Sequence, residues 1–104
     1  MTLDFFYNNY DLKNLEIKSA EIKNNKLIIN VIVVAYLELI ANGYRPELDV
    51  NHEIEFTFDY NGLDKIYKNP IINNVEFRNN ALNLMINNES LAISSNNVIV
   101  KQKS

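Results

Sequence analysis

The 104-residue sequence contains no cysteine, a single histidine and only two glycines. Without cysteine, the chain has neither a disulfide framework nor a thiolate metal site. Because His52 is the only histidine, zinc sites of the usual His/Cys type are not expected, and any catalytic triad would have to use that residue. A phosphate-binding loop needs closely spaced glycines, whereas Gly43 and Gly62 stand far apart.

Clustered positive charge and long apolar runs are also missing. The chain has 10 Lys and Arg against 13 Asp and Glu, so nucleic acid is not expected as a partner. The longest apolar stretch, Leu27–Ala41, is interrupted by Asn30 and Glu38 and is too short to span a bilayer. The first residues lack the basic and apolar regions of a signal peptide. We therefore expect a cytoplasmic protein that binds no membrane.

Recognisable catalytic machinery is absent as well. No Gly-x-Ser-x-Gly motif is present. Glu53, Glu55 and Asp59 would share one strand face, but an exposed row of carboxylates lacks the contrast in environment that acid–base chemistry requires. Residues 49–53 have the alternating oxygens of a calcium loop but lack its turn glycine and distal glutamate. The sequence predicts a protein that is not an enzyme and binds no metal or cofactor.

What the sequence does contain is a large apolar fraction and a large number of asparagines. Hydrophobic residues make up 47% of the chain, with five Phe and six Tyr, which suits a single globular domain over residues 1–104. Nineteen asparagines include six Asn-Asn pairs, at 8–9, 24–25, 73–74, 79–80, 87–88 and 96–97. Asparagine tolerates positive φ better than other non-glycine residues, so pairs between apolar runs predict turns.

The first half of the chain indicates long strands. Apolar residues in Asn14–Lys23 alternate and then shift phase, which predicts a strand with a bulge near Ser19. Asn24-Asn25 predicts a hairpin into Leu27–Leu39, a strand that is apolar on both faces. A short helix over Ala35–Asn42 is the alternative for the end of that run.

The second half indicates shorter strands. Residues 54–60 alternate most clearly between apolar and polar, as in a half-buried strand. One helical turn is predicted at Leu63–Lys68. Further strands are predicted at Ile72–Arg78, Ala81–Ile86, Leu91–Ser94 and Val98–Lys101. The fold class is therefore all-β: an antiparallel meander of about seven strands forming a sandwich or partly open barrel, with at most one short helix.

Three surfaces are candidates for binding. The first is the acidic stripe of Glu53, Glu55 and Asp59, extended by Glu47 and Asp49 in the preceding loop; it either attracts a basic partner or is simply a solvated strand face. The second is the aromatic N-terminus, which suits either an interface or the core. Its residues are Leu3, Phe5, Phe6, Tyr7 and Tyr10. The third is Tyr44-Arg45 in a loop, two residue types common at binding hot spots.

The order of these segments resembles known families. Tyr10-Asp11, the paired strands at Leu15–Ile22 and Leu27–Tyr36, and Glu53–Tyr60 followed by Gly62-Leu63 resemble several families of small all-β bacterial proteins. Some of these are immunity proteins for polymorphic toxins, and others are uncharacterised. The families often have His-Asp where this chain has Tyr10-Asp11.

The sequence thus predicts a non-enzymatic protein-binding module. Its most concrete version is an immunity or inhibitor protein whose acidic sheet face occludes a basic protein partner. The alternatives are a small-molecule-binding β-barrel and a homo-oligomeric structural subunit.

Overall fold

The computed structural model describes residues 1–34 and 51–103, and in these residues the chain forms one short helix and eight strands. They are α1 (Leu3–Asn9), β1 (Glu16–Lys23), β2 (Lys26–Val34), β3 (Asn51–Asp59), β4 (Lys65–Tyr67), β5 (Ile72–Arg78), β6 (Ala81–Ile86), β7 (Glu89–Ile93) and β8 (Val98–Gln102). The all-β, sandwich-like fold class is confirmed. The end of the predicted strand Leu27–Leu39 and the alternative helix at Ala35–Asn42 lie outside the described residues.

Five strands form the larger sheet, in the order β4-β1-β2-β3-β8, and every pairing is antiparallel. The predicted bulge is confirmed, because the register between β1 and β2 shifts between Ile17 and Ser19. Side chains alternate between the faces of a strand, so one face collects the apolar residues. Leu27 lies opposite Phe58 and Ile29 opposite Phe56, and all four are buried.

Three strands form the smaller sheet, in the order β5-β6-β7. Its alternating side chains Leu82, Leu84 and Ile86 are buried against the same core as the larger sheet. The interior between the sheets is filled by side chains, and the sheets do not close into a barrel in the described part of the chain. The apolar strand β2 therefore lines a packed core.

Paired asparagines close three hairpins, as the sequence predicts. Asn24-Asn25, Asn79-Asn80 and Asn87-Asn88 are two-residue loops, and all six residues have φ between 49° and 65°. Positive φ at both positions is the type I′ turn, which matches the right-handed twist of the strands it joins. Asparagine occupies the positions where glycine is more usual because it tolerates this backbone region.

Helix α1 places the N-terminal aromatic residues in two different environments. Thr2 caps the helix by accepting a hydrogen bond from the Phe5 backbone N–H at 3.1 Å. Phe6 is fully buried, with its ring centroid 5.0 Å from those of both Phe56 and Phe58. Phe5 remains 52% exposed. The helix thus covers the core with one face and leaves the other in solvent.

The predicted helical turn at Leu63–Lys68 is wrong. Lys65–Tyr67 forms the edge strand β4, in which Ile66 lies opposite Glu21 of β1. The backbone N–H and C=O groups of this segment pair with β1, so the segment is a strand. The six residues themselves do not reveal a partner that lies elsewhere in the chain. The chain also departs from a simple meander, because β4 returns to β1 and β8 returns to β3. No helix in the described residues is long and apolar enough to cross a membrane.

Candidate functional site

The candidate site is the outer face of the five-stranded sheet, meaning the face turned away from the core. The register places the acidic stripe of Glu53, Glu55 and Asp59 on this face of β3, as the alternation predicts. Glu47, Asp49, Tyr44 and Arg45, the other candidates from the sequence, lie outside the described residues.

Each carboxylate of the acidic stripe pairs with a lysine from outside β3. Lys18 Nζ lies 2.5 Å from Glu53 Oε1, and Lys103 Nζ lies 3.3 Å from Glu55 Oε2. Lys26 pairs with Asp59, which stands directly opposite it across the β2–β3 ladder. The three negative charges are thus matched by three positive charges, so these pairs carry no net charge.

Hydrogen bonding lowers the pKa of two carboxylates in the stripe, Glu53 and Asp59. The hydrogen bond from Lys18 lowers the pKa of Glu53 more than partial burial raises it. For Asp59, the hydrogen bonds from Lys26 and then from Ser95 lower the pKa. The Ser95 hydroxyl donates to Asp59 Oδ2 at 2.8 Å. Asp59 is therefore an ionised carboxylate held from two sides at neutral pH.

A row of isoleucines crosses the same face. The four strand pairings align one residue from each strand across the sheet. From edge to edge these are Ile66, Glu21, Ile28, Thr57 and Ile99. Ile66 is 76% exposed and Ile99 is 51% exposed. The solvent face of an antiparallel sheet is usually polar, so three isoleucines in one row, alternating with Glu21 and Thr57, mark this face as unusual.

Sequence reasoning missed the isoleucines, although the signal for them was present. Residues 27–29 and 98–100 are continuous apolar runs, so each strand must place an apolar side chain on both of its faces. Ile28 and Ile99 are the members of those runs that reach the outer face. The sequence alone could not show that these two residues and Ile66 share one row, because that depends on strand order and register.

A polar row lies next to the isoleucines. Asn30 is opposite Ser19 on one side and Glu55 on the other, and its Nδ2 donates to Ser19 Oγ at 3.0 Å. Its Oδ1 is buried without a partner in the described part of the structure. Across residues 1–34 and 51–103, no three His, Cys, Asp or Glu side chains cluster as metal ligands.

Comparison with known proteins places the chain in no family. No family model, curated protein or solved structure matches it. The resemblance to toxin-immunity families is neither confirmed nor refuted by these comparisons.

Proposed function

We propose that this protein is a non-enzymatic protein-binding module that binds its partner through the outer face of the five-stranded sheet. The observation that carries the proposal is the row of Ile66, Ile28 and Ile99 on a face flanked by lysine–carboxylate pairs. Apolar side chains bordered by polar groups are typical of protein–protein interfaces.

The rigidity of the face supports the proposal. Five hydrogen-bonded strands present the row, and Lys18, Lys26 and Lys103 fix the carboxylates beside it. Side chains that are already ordered lose little conformational entropy when a partner binds. We infer that the isoleucines supply most of the affinity, while the ion pairs set the orientation of the partner.

A basic partner is the more specific version of the proposal. Its lysines or arginines would have to replace Lys26 or Lys103 at carboxylates that are already paired. Such an exchange gains little net energy, because one ion pair is traded for another. An immunity or inhibitor role in a bacterial cytoplasm, as the resemblance implies, would follow this mode by occluding a basic site on a toxin.

Affinity capture with matched variants tests the proposal. The wild-type chain, the double variant Ile66→Thr/Ile99→Thr and the control Asn83→Thr are immobilised and exposed to lysate of the source organism. Asn83 is exposed on the smaller sheet, away from the outer face. We expect a stoichiometric partner that the wild type and the control retain and the isoleucine variant loses.

Salt separates the two versions of the mechanism. Retention of the partner at 1 M salt, where screening acts over about 3 Å, supports binding through the isoleucines. Release at high salt supports the basic partner instead, and Glu55→Gln should then weaken capture. Equal capture by all variants would contradict a role for the outer face. Sedimentation of the chain alone distinguishes a partner protein from self-association through the same row.

A further inference from the structure

The free edge of β7 is distinct from the outer face. The loop Asn87-Asn88 is a type I′ turn, so Ile86 and Glu89 exchange both backbone hydrogen bonds. Hydrogen-bonded pairs alternate along an antiparallel ladder. The backbone N–H and C=O groups of Ser90 and Ala92 therefore point away from β6, and no described residue bonds to them.

The other three edges of the described sheets are protected. The backbone of Met1 exchanges hydrogen bonds of 2.6 and 2.8 Å with Val98 on β8, and Lys101 follows on that strand. Strand β4 has only three residues, and β5 carries a bulge after Ile72. Lysines, short strands and bulges are the usual devices against strand addition.

Strand β7 has none of these devices between Ser90 and Ile93. Its outward side chains, Ser90 and Ala92, are small, uncharged and exposed. Because neither side chain carries a charge, neither acts as the charged guard that protects other edges from strand addition. Strand β7 is thus the one edge of the described sheets that remains open to pairing.

A groove of about 690 Å³ lies at the Ala92 end of this edge. Its lining includes Ala92 and Ser94, together with Asn25, Tyr60 and Asn61 from the β1–β2 turn and from the chain after β3. Asp59 also faces the groove and is held there by Lys26 and Ser95. The lining therefore offers polar groups in fixed positions and one aromatic ring.

The position of that ring is itself constrained. Tyr60 packs against Gly62 so closely that a Cβ atom on Gly62 would lie 2.7 Å from the ring. The backbone N–H of Tyr60 donates to the Asn25 carbonyl at 3.1 Å. This part of the lining is thus held by a glycine contact and a backbone hydrogen bond, both of which favour a fixed surface.

From this geometry we propose that the groove binds a single extended peptide segment of a partner protein, which adds as a strand to β7. Only another extended backbone offers donors and acceptors at the spacing of Ser90 and Ala92. Strand β7 has five residues. At about 3.3 Å per residue, the peptide could lie alongside it over a length of about 16 Å. The charged side chains of the lining, Lys26 and Asp59, form an ion pair with each other. We therefore expect the peptide to carry small or polar side chains and to need no charged residue for binding.

A second copy of the chain, pairing through its own β7, is the alternative occupant of this edge. A concentration-dependent dimer in sedimentation of the wild-type protein would overturn the partner peptide. The site goes beyond the proposed function: it shares the Lys26–Asp59 pair with the outer face but does not use the isoleucine row.

Two variants of one residue test the site. Ala92→Pro removes the outward N–H that the peptide would use but no hydrogen bond to β6, because Ala92 does not donate to that strand. Ala92→Thr keeps the N–H and adds a side chain of similar bulk. The probe is a phage-displayed library of random dodecapeptides selected on the full-length wild-type protein.

We expect the selected peptides to bind the Thr variant as they bind wild type, and to bind the Pro variant about tenfold more weakly, since main-chain hydrogen bonds carry this mode. In hydrogen exchange, the amides of Ser90 and Ala92 should exchange fast in the free protein and slow down when peptide binds. Failure to enrich any peptide, or equal binding by the Pro variant, would overturn the site. So would slow exchange of both amides before peptide is added. These measurements use only the Ala92 variants, so failure of this site can be told apart from failure of the outer-face proposal, which is tested with the Ile66 and Ile99 variants.

Discussion

Replacing Phe6 with alanine should remove a large part of the stability of the protein. Phe6 has no solvent exposure, and its ring lies 5.0 Å from Phe56, 5.0 Å from Phe58 and 5.6 Å from Tyr10. A Phe→Ala change in a core costs about 3–5 kcal/mol. Because the change also removes the packing of this ring against three other aromatic rings, we expect a cost in the upper half of that range. The free energy of unfolding of a small domain is only about 5–15 kcal/mol.

Urea unfolding followed by circular dichroism measures the effect. With an m-value of about 1.5 kcal/mol/M, a loss of about 4 kcal/mol lowers the midpoint by about 2.7 M. The matched control is Phe5→Ala, one residue earlier in the same helix. Phe5 is 52% exposed, so its replacement should change stability by less than about 0.5 kcal/mol.

The comparison of the two variants decides whether α1 seals the core. A large loss for Phe6→Ala with an unchanged m-value would show that the helix is part of the cooperative fold. Equal midpoints for the two variants would refute the reasoning, because the neighbouring phenylalanines would then contribute alike despite their different burial.

Three further predictions concern a turn and two titrating groups. Asn80 has a φ of 61°, so Asn80→Ala should cost about 1 kcal/mol in thermal unfolding, whereas Asn80→Gly should not destabilise. Burial and the Glu89 charge raise the pKa of Tyr67 to about 12, so stability should fall as the pH rises from 10 towards 12, and Tyr67→Phe should remove one late step from the tyrosinate absorbance titration. The Lys26 and Ser95 hydrogen bonds lower the pKa of Asp59, so their stabilisation is present at neutral pH and is lost as the pH falls through that lowered pKa. Asp59→Asn should therefore lose less stability than wild type between pH 7 and pH 3, as measured by urea midpoints.

Local patterns predicted the strands and turns well. The alternation at residues 54–60 predicted β3, and the Asn-Asn pairs predicted turns, three of which the structure shows as type I′ hairpins. Both signals are local. Alternation between buried and exposed residues is visible within a few positions of a strand, and the need for positive φ is visible in the two residues of a turn. The phase shift near Ser19 likewise predicted a bulge that the register confirms.

Helix α1 was missed although its signals are present. Thr2 is a good N-cap, Asp4 lies in the first turn, and Leu3, Phe6 and Tyr10 follow helical spacing. With only seven residues, the helix is too short for periodicity to stand out from an aromatic cluster. The error at Leu63–Lys68 has another cause, because the backbone partner of β4 lies more than forty residues earlier in β1.

The candidate site was predicted only in part for the same reason. Alternation places Glu53, Glu55 and Asp59 on one face, but their lysine partners come from outside β3. Lys26 meets Asp59 through the β2–β3 register, and Lys103 reaches Glu55 from the end of β8. Strand order and register decide which lysine lies beside which carboxylate. The sequence therefore shows the acidic residues but not the lysines that neutralise them.

The connectivity of the two sheets has a consequence for the order in which they form. The smaller sheet is a meander joined by two two-residue asparagine turns, so all of its pairings are between neighbours in the sequence. The larger sheet is completed by β8, which pairs with a strand that ends about forty residues earlier. Because loop closure over a long separation slows folding, we expect the smaller sheet to form first and β8 to join last. Destabilising changes at Asn80 should then slow refolding, whereas changes in β8 should mainly speed unfolding in stopped-flow measurements.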